Sequence, residues 1–527
     1  MKHINRSWRE TLVGLSCLQP STLASSNTVN MVPKAILTLA ASLFVSRAAA
    51  QLDNAHEYST GFNSSFTLTP SQIESAQLNA ALVESIQVVM NFDRSQLAFG
   101  GPAEDEFYSL PPLTNATGPL QPGQLLKVQA VTDTTAYAIP PHTALSRIMY
   151  TTTNFNGTVI PATGFILWPY TPRSFPHGSS SREGDPATNK APLVVWTHGT
   201  SGFFQPQAPS AHRGLWYDDA APFTLAKAGY AVFAPDFAGL GVSTSWDGSR
   251  IPHQYHMSPA TAGDTLYGVR AALEAFPDKL TSDFVVIGHS QGGGVAWAVA
   301  EAFAYPDHPF ADLSDGYKGS VAVSPTTKAL TGPPAFMLPT IGQMLQSVFP
   351  SFEIEDWFTA LGAARLNLVE EVQGSVTVFQ QLFFTDDALV RPDYNESWYA
   401  DSFSKLGDAS RRDFHGPLLV VQGTTDTYVP YEVTRESVEA TWALYPDNDL
   451  ELLVADGVSH VPVLFATSHL WLQWIEDRLS GRPLGQKGAV RTDVGSFLPV
   501  EQYQTSRAST YLWANLPEYM YQVPLAV

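Results

Sequence analysis

Short apolar runs and helix-like stretches alternate regularly between about residues 190 and 325. The runs at 193–197 (LVVWT), 230–234 (YAVFA), 284–288 (FVVIG) and 319–323 (GSVAV) have the length and β-branched or aromatic content of buried strands. Helical patterns at 220–228, 261–276 and 292–305 separate them, the first ended by Gly229 and the second by Pro277. The stretch 292–305 is alanine-rich and apolar nearly all round, which predicts a buried helix. The rhythm stops after Pro325 and resumes beyond His415, with a strand at 418–422 (LLVVQ), a helix at 431–445, a strand at 450–455 and a helix at 462–479. In that last helix Val463, Ala466, Leu470 and Trp474 recur at helical spacing. The pattern predicts an α/β fold, a mostly parallel central sheet with helices on both faces.

The core segments are then 141–325 and 416–480, with strands at 146–150 and 163–168 at the front and a polar loop at 173–189. The interruption at 326–415 predicts an inserted helical cap, rich in aromatic residues. Residues 51–140 read as an extension rich in Ser, Thr, Pro and Asn with one helix at 71–90, and 481–527 as an aromatic tail without an assigned role.

Composition narrows the class. With 44% hydrophobic and 15% charged residues the chain is globular rather than disordered. Met31 to Lys34, the apolar run 35–45 and Ala48-Ala49-Ala50 have the layout of a secretory signal peptide cleaved after Ala50. An uncleaved signal anchor is the alternative, although Arg47 interrupts the run. Residues 1–30 read as a gene-model extension, translation starting at Met31, with a transit peptide as the rival reading. Loss of residues 1–50, which carry a net +4, would take the net charge from −20 to −24. Such acidity argues against binding nucleic acid or anionic lipid by charge, so lipid contact is expected to be apolar and transient, through the cap. The single cysteine, Cys17, lies in the segment to be removed, which leaves no thiol chemistry, disulfide or cysteine–zinc site. Four sequons, at Asn63, Asn115, Asn156 and Asn395, fit a secreted glycoprotein.

The candidate chemistry sits at Gly288-His289-Ser290-Gln291-Gly292, a G-x-S-x-G pattern that directly follows a strand and directly precedes a helix. That context is a nucleophile elbow, where a tight turn exposes the serine hydroxyl and tolerates only small neighbours. A serine needs a base, and in this arrangement acid and histidine follow in chain order. Asp426, after the strand 418–422, and His460, after the strand 450–455, lie in loops at strand C-termini. Glu432 is the fallback acid. His415 precedes its strand and His469 lies inside a helix, so both fit poorly. An oxyanion hole requires two amides, assigned to Gln291 and Thr200, with Ser201 the close rival to Thr200. His253-x-x-His256 lacks the glutamate and third ligand of a zinc motif, and Gly239-x-Gly241 is too short to bind a dinucleotide. Neither a metal nor a cofactor is expected.

At these residues the chain resembles the lipase A-like family of secreted fungal lipases, also called secretory lipases. The resemblance runs from about residue 122 to 479 and rests on PGQLLKVQ (122–129), SRIMYTTTNFNG (146–157), HGTSG (198–202), Ala-Pro-Ser (208–210), APDFAGLG (234–241), GHSQGG (288–293), TTDTYVPY (424–431) and the His460 loop. It implies an α/β-hydrolase core, a helical cap and a Ser290–Asp426–His460 triad acting on acyl esters. Gln207 stands where many relatives have a cysteine, so the family's disulfide is absent. Phe352, Trp357, Phe358, Leu361, Phe379, Phe383 and Phe384 would form the cap's own core or line an acyl-binding tunnel. The expected activity is ester hydrolysis of a small-molecule or lipid substrate, lost in acid as the histidine base protonates. Acyl transfer in secondary metabolism, with a thioesterase-like enzyme beside it, is the alternative within enzymes. A catalytically silent binding protein on a hydrolase scaffold is the alternative outside them.

Overall fold

Among the described residues ten strands hydrogen-bond into one sheet in the order β1-β2-β3-β5-β4-β6-β7-β8-β9-β10. They are β1 Leu125–Val131, β2 Ala144–Thr153, β3 Val159–Trp168, β4 Ala191–Thr197, β5 Ala231–Pro235, β6 Leu280–His289, β7 Tyr317–Val323, β8 Leu418–Gly423, β9 Leu450–Ala455 and β10 Ala489–Val494. The computed structural model describes residues 65–113, 118–175, 190–330, 337–385 and 387–503. From β5 through β10 neighbouring strands are parallel, and β1 to β3 add an antiparallel flank. The architecture is a mostly parallel sheet within an α/β fold, as the strand–helix rhythm predicts.

Burial follows from this topology. Every residue of β4 and β5 is buried, the mark of parallel strands covered on both faces. Along β4, Leu193 and Val195 enter one core with Val295, Trp297 and Val299, while Val194 and Trp196 enter the opposite core with Trp471 and Ile475. The helices Ser258–Ala275 and Gln291–Ala302 cover the first face, and Ser468–Leu479 the second. The edge strand β10 alternates instead, with Arg491 and Asp493 exposed, which disfavours pairing with another chain. Among the described residues no helix is long and apolar enough to cross a membrane.

Four expectations change. β1 and β10 lie outside the segments 141–325 and 416–480, so the extension and the tail both contribute strands to the sheet. The helix expected at 71–90 is two, Pro70–Ser75 and Ala80–Ser95. Gln77 turns left-handed at φ 50° between them, and Asn79 caps the second by accepting from the Leu82 amide at 2.9 Å. The helix expected at 462–479 breaks at Thr467, whose hydroxyl bonds back to the Val463 carbonyl at 2.6 Å. Finally, the cap's core is not its own. Phe352, Trp357, Phe358, Phe379 and Phe383 are buried in one cluster with Leu68, Ile86, Val89 and Met90 of the N-terminal extension, with Leu361 packed at its margin. Phe384 stands outside, 46% exposed.

The chain returns from the cap by gripping the end of helix Gln291–Ala302. Glu301 accepts from the Ser410 amide at 2.6 Å and pairs with Arg412 at 3.1 Å. Burial pushes its carboxyl from the ordinary 4.5 up to about 7, outweighing Arg412. In the unfolded chain the group ionises at lower pH, so the folded state loses stability as pH rises from about 4.5 to 7. Glu301→Gln is expected to flatten this slope, removing up to about 3 kcal/mol of pH dependence. Denaturant midpoints of both proteins at the two ends of that range measure it, and parallel slopes would refute it.

Candidate active site

β6 ends at His289 and the next helix starts at Gln291, so Ser290 alone makes the turn. Its φ of 57° and ψ of −119° are strained for a residue with a side chain. Crowding explains the glycines on either side. A Cβ at Gly288 would overlap the Thr197 hydroxyl and the Gly292 carbonyl, and one at Gly292 would overlap the Thr197 and His198 carbonyls. Thr197 is the register partner of Gly288 and ties the turn together, its hydroxyl donating to Gly292 O at 2.8 Å. The Ser290 amide donates to Val323 O at 3.0 Å, and the residue is only partly buried.

Asp426 and His460 come from the ends of the adjacent parallel strands β8 and β9, which pair through Gly423 and Ala455. His460 Nδ1 donates to Asp426 Oδ2 at 2.7 Å. Asp426 is a buried carboxylate that accepts from His460, from Gln422 Nε2 at 3.1 Å, and from the Tyr428 and Val429 amides at 2.9 Å. Burial pushes its carboxyl up, but the His460 charge and the hydrogen bonds from His460 and the Val429 amide outweigh it and hold it below the ordinary carboxylate range. The carboxylate therefore fixes the proton on Nδ1 and leaves Nε2 as the basic nitrogen. Tyr428 stacks on the ring at 5.2 Å.

His289 connects this pair to the elbow. Its Nε2 donates to the His460 carbonyl at 3.0 Å, and its Nδ1 accepts from Tyr217 OH at 2.7 Å. The two imidazole centroids lie 4.5 Å apart. Burial drives the His289 ring well below the ordinary histidine range, so it stays neutral and can both give and accept a proton bond. Among the described residues no hydrogen bond joins Ser290 Oγ directly to His460; His289, the residue before the serine, carries the link. His289 fills the variable position of G-x-S-x-G, where adjacency to the serine was its only signal. Tyr217 sits in a left-handed turn at φ 74° and had none.

Thr200 follows β4, directly beside the elbow because β4 and β6 are neighbours. The Thr200 and Gln291 amides have no hydrogen-bond acceptor among the described residues, and Gln291 opens a helix whose N-terminal end favours negative charge. The Ser201 hydroxyl is buried and has no hydrogen-bond partner among the described residues, and the Ser201 carbonyl accepts from Val376 of the cap at 3.4 Å.

The rival residues lie elsewhere. Glu432 makes a surface pair with Arg435 at 2.7 Å, His415 packs by Tyr317, and His469 is exposed. His253 and His256 bond to Gln291 and Thr326 rather than converging on one point. Among the described residues no group of three or more His, Cys, Asp or Glu could hold a metal ion. Asn156 and Asn395 are exposed, while Asn63, Asn115, Cys17 and the signal segment lie outside the described residues. The Ala-Pro-Ser and APDFAGLG segments hold each other: Asp236 accepts from the Ser210 amide at 2.7 Å, Ser210 Oγ at 2.5 Å and Thr163 Oγ1 at 2.6 Å.

Solved structures share this architecture. Candida antarctica lipase A superposes with a TM-score of 0.56 at 16% identity, covering 79% of this chain and 94% of the lipase. Its closed state gives 0.54 at 16% identity, covering 75% and 90%. The rice cell wall degrading esterase LipA from Xanthomonas oryzae gives 0.50 at 19% identity, covering 68% and 97%. At such identities the likeness is one of fold. A search of the curated proteins finds no match. Residues 194–469, more than half of the sequence, match the alpha/beta hydrolase family. With that match over strands β5 to β9 and the elbow between them, the chain belongs to the alpha/beta hydrolase family.

Proposed function

We propose that this protein is a secreted carboxylic-ester hydrolase, a lipase or esterase, that works through Ser290, His460 and Asp426. One observation carries the reading: a buried carboxylate holds the His460 ring at 2.7 Å on the sheet rim where a strained serine stands. The motif resemblance to secretory lipases, and a fold shared with a lipase and an esterase, support an ester as substrate. The exposed sequons and the segment 31–50 support secretion.

In this reading His460 Nε2 takes the proton of Ser290 as Oγ attacks the acyl carbon. The carbonyl electrons move onto oxygen, which the Gln291 and Thr200 amides receive. Asp426 stabilises the imidazolium that forms, without itself taking the proton. Collapse of the tetrahedral species breaks the bond to the alcohol, which leaves with the proton from His460. Water then repeats the sequence on the acyl-enzyme and releases the acid. The cap meets this site at the oxyanion loop, where Phe203 packs against Phe379 at 5.5 Å, so acyl selection belongs to that junction.

Ser290→Ala is expected to lower turnover of an activated ester by several orders of magnitude and to abolish labelling by a fluorophosphonate. Full turnover by the variant would sink the proposal. Asp426→Asn should cost about four orders of magnitude in kcat, by analogy with the serine-protease triad, because the amide favours the wrong tautomer of His460. A loss of less than about tenfold would remove Asp426 from the mechanism. Product analysis in the presence of a competing alcohol separates hydrolysis from acyl transfer, and rates across esters of rising chain length read the acyl preference.

A further inference from the structure

The segment His253-Gln254-Tyr255-His256, which offered only two loop histidines in sequence, touches three parts of the rim around Ser290. His253 Nε2 lies 2.9 Å from Gln291 Nε2. Tyr255 OH lies 2.6 Å from Thr200 Oγ1. His256 Nδ1 lies 3.2 Å from Thr326 Oγ1, and the Thr326 amide donates to the Ser290 carbonyl at 3.2 Å. All three side chains are buried.

The partners fix the protons. His253 Nδ1 faces the Ala238 carbonyl at 3.2 Å, which can only accept, so Nδ1 carries the ring proton. Nε2 of the neutral ring is then an acceptor and receives a proton bond from the Gln291 amide group. Burial keeps the ring neutral, pushing it down to about 3, and Phe237 stacks on it at 5.9 Å. Gln291 Oε1 is buried without a partner, so among the described residues His253 supplies the one hydrogen bond that orients this side chain. Tyr255 is wedged against Phe203 at 5.1 Å and His256 at 4.0 Å, which leaves its hydroxyl little choice but Thr200.

We propose that His253 and Tyr255 are positioning residues that hold both oxyanion-hole donors, Gln291 and Thr200, from one loop. The inference rests on the ester-hydrolase reading above. Neither residue is placed on the reacting atoms. Each restrains the residue whose backbone amide meets the oxyanion, so its effect belongs in the transition state and not in substrate binding.

The test uses the full chain, an activated aryl ester, and active sites titrated with a phosphonate. His253→Gln keeps an acceptor near the Nε2 position. His253→Asn keeps a donor toward Ala238 but loses that acceptor. Tyr255→Phe removes one oxygen. Expected is a fall of about 10- to 100-fold in kcat per titrated site for His253→Asn and Tyr255→Phe, less than complete loss of one donor, with KM within about twofold. His253→Gln should stay within about threefold of wild type. The proposal is overturned if His253→Gln falls as far as His253→Asn, or if His253→Asn and Tyr255→Phe both keep wild-type kcat per titrated site. Misfolded protein lowers the titre and not kcat per site, so unfolding cannot imitate the effect. Ser290→Ala decides the underlying reading separately, since its retention of activity would remove the oxyanion hole altogether.

Discussion

The meeting of β4, β6 and the helix Gln291–Ala302 within the width of one missing side chain governs the rest of this structure. Ser290 holds a backbone conformation that costs of the order of 1–3 kcal/mol, and something must prevent its relaxation. The Gly288 and Gly292 backbones lie so close to Thr197 and His198 that no Cβ fits between them, and the Thr197 hydroxyl bonds across the gap at 2.8 Å. Only a parallel neighbour in register could bring that threonine there, and Thr197 pairs with Gly288. Strain at the serine and proximity of the Thr200 loop therefore have one cause, the adjacency of β4 and β6.

The same strand order sets the distance over which the proposed base would act. β7 lies between β6 and β8, so Asp426 and His460 stand two and three strands away from the elbow strand. The loop after β9 has to fold back across that gap, and His289 gives it a fixed anchor by donating to the His460 carbonyl. A charged imidazole is disfavoured here, because it would be buried and would stand beside the His460 ring. Burial favours the neutral ring, and the same holds for His253 and for His198, which burial lowers to about 4. An acidic protein thus lines the back of its candidate site with neutral histidines. The carboxylate charge stays on Asp426, where the imidazolium would form.

How much of this could be read from the chain depends on whether the signal was local. The strands β4 to β9 are short runs of Val, Ile, Leu and Phe bounded by Gly, Pro or Asp, and each run is legible by itself. The placement of Ser290, Asp426 and His460 at one sheet rim is legible because each follows such a run at its C-terminal end. β1 and β10 fall outside the core that the sequence marks, since an edge strand buries one face at most and alternates weakly. The break at Gln77 lies within a pattern apolar enough for one helix, and only the left-handed turn at Gln77 and the capping by Asn79 divide it. The contacts of Tyr217, His253 and Tyr255 leave no local signal, although His253 stands out in the sequence as one of two loop histidines. Their roles depend on partners tens of residues away, and a tyrosine or histidine in a loop carries no periodicity to betray them.

The N-terminal extension follows from the same reasoning about distance. Its helices share one apolar cluster with the cap, and Asp93 receives a 2.6 Å hydrogen bond from Ser375, immediately before the cap helix Val376–Phe383. Ser375 also forms a bridge with Gly202, two residues beyond Thr200. Burial pushes Asp93 up to about 7, so near neutrality this carboxyl divides between a charged acceptor and a neutral acid. The charged form is the stronger acceptor for Ser375, and the neutral form relieves the burial. A chain of direct contacts thus runs from the extension through the cap to the loop that bears Thr200. The extension is part of what holds one side of the rim, just as the loop of His253 and Tyr255 holds the other.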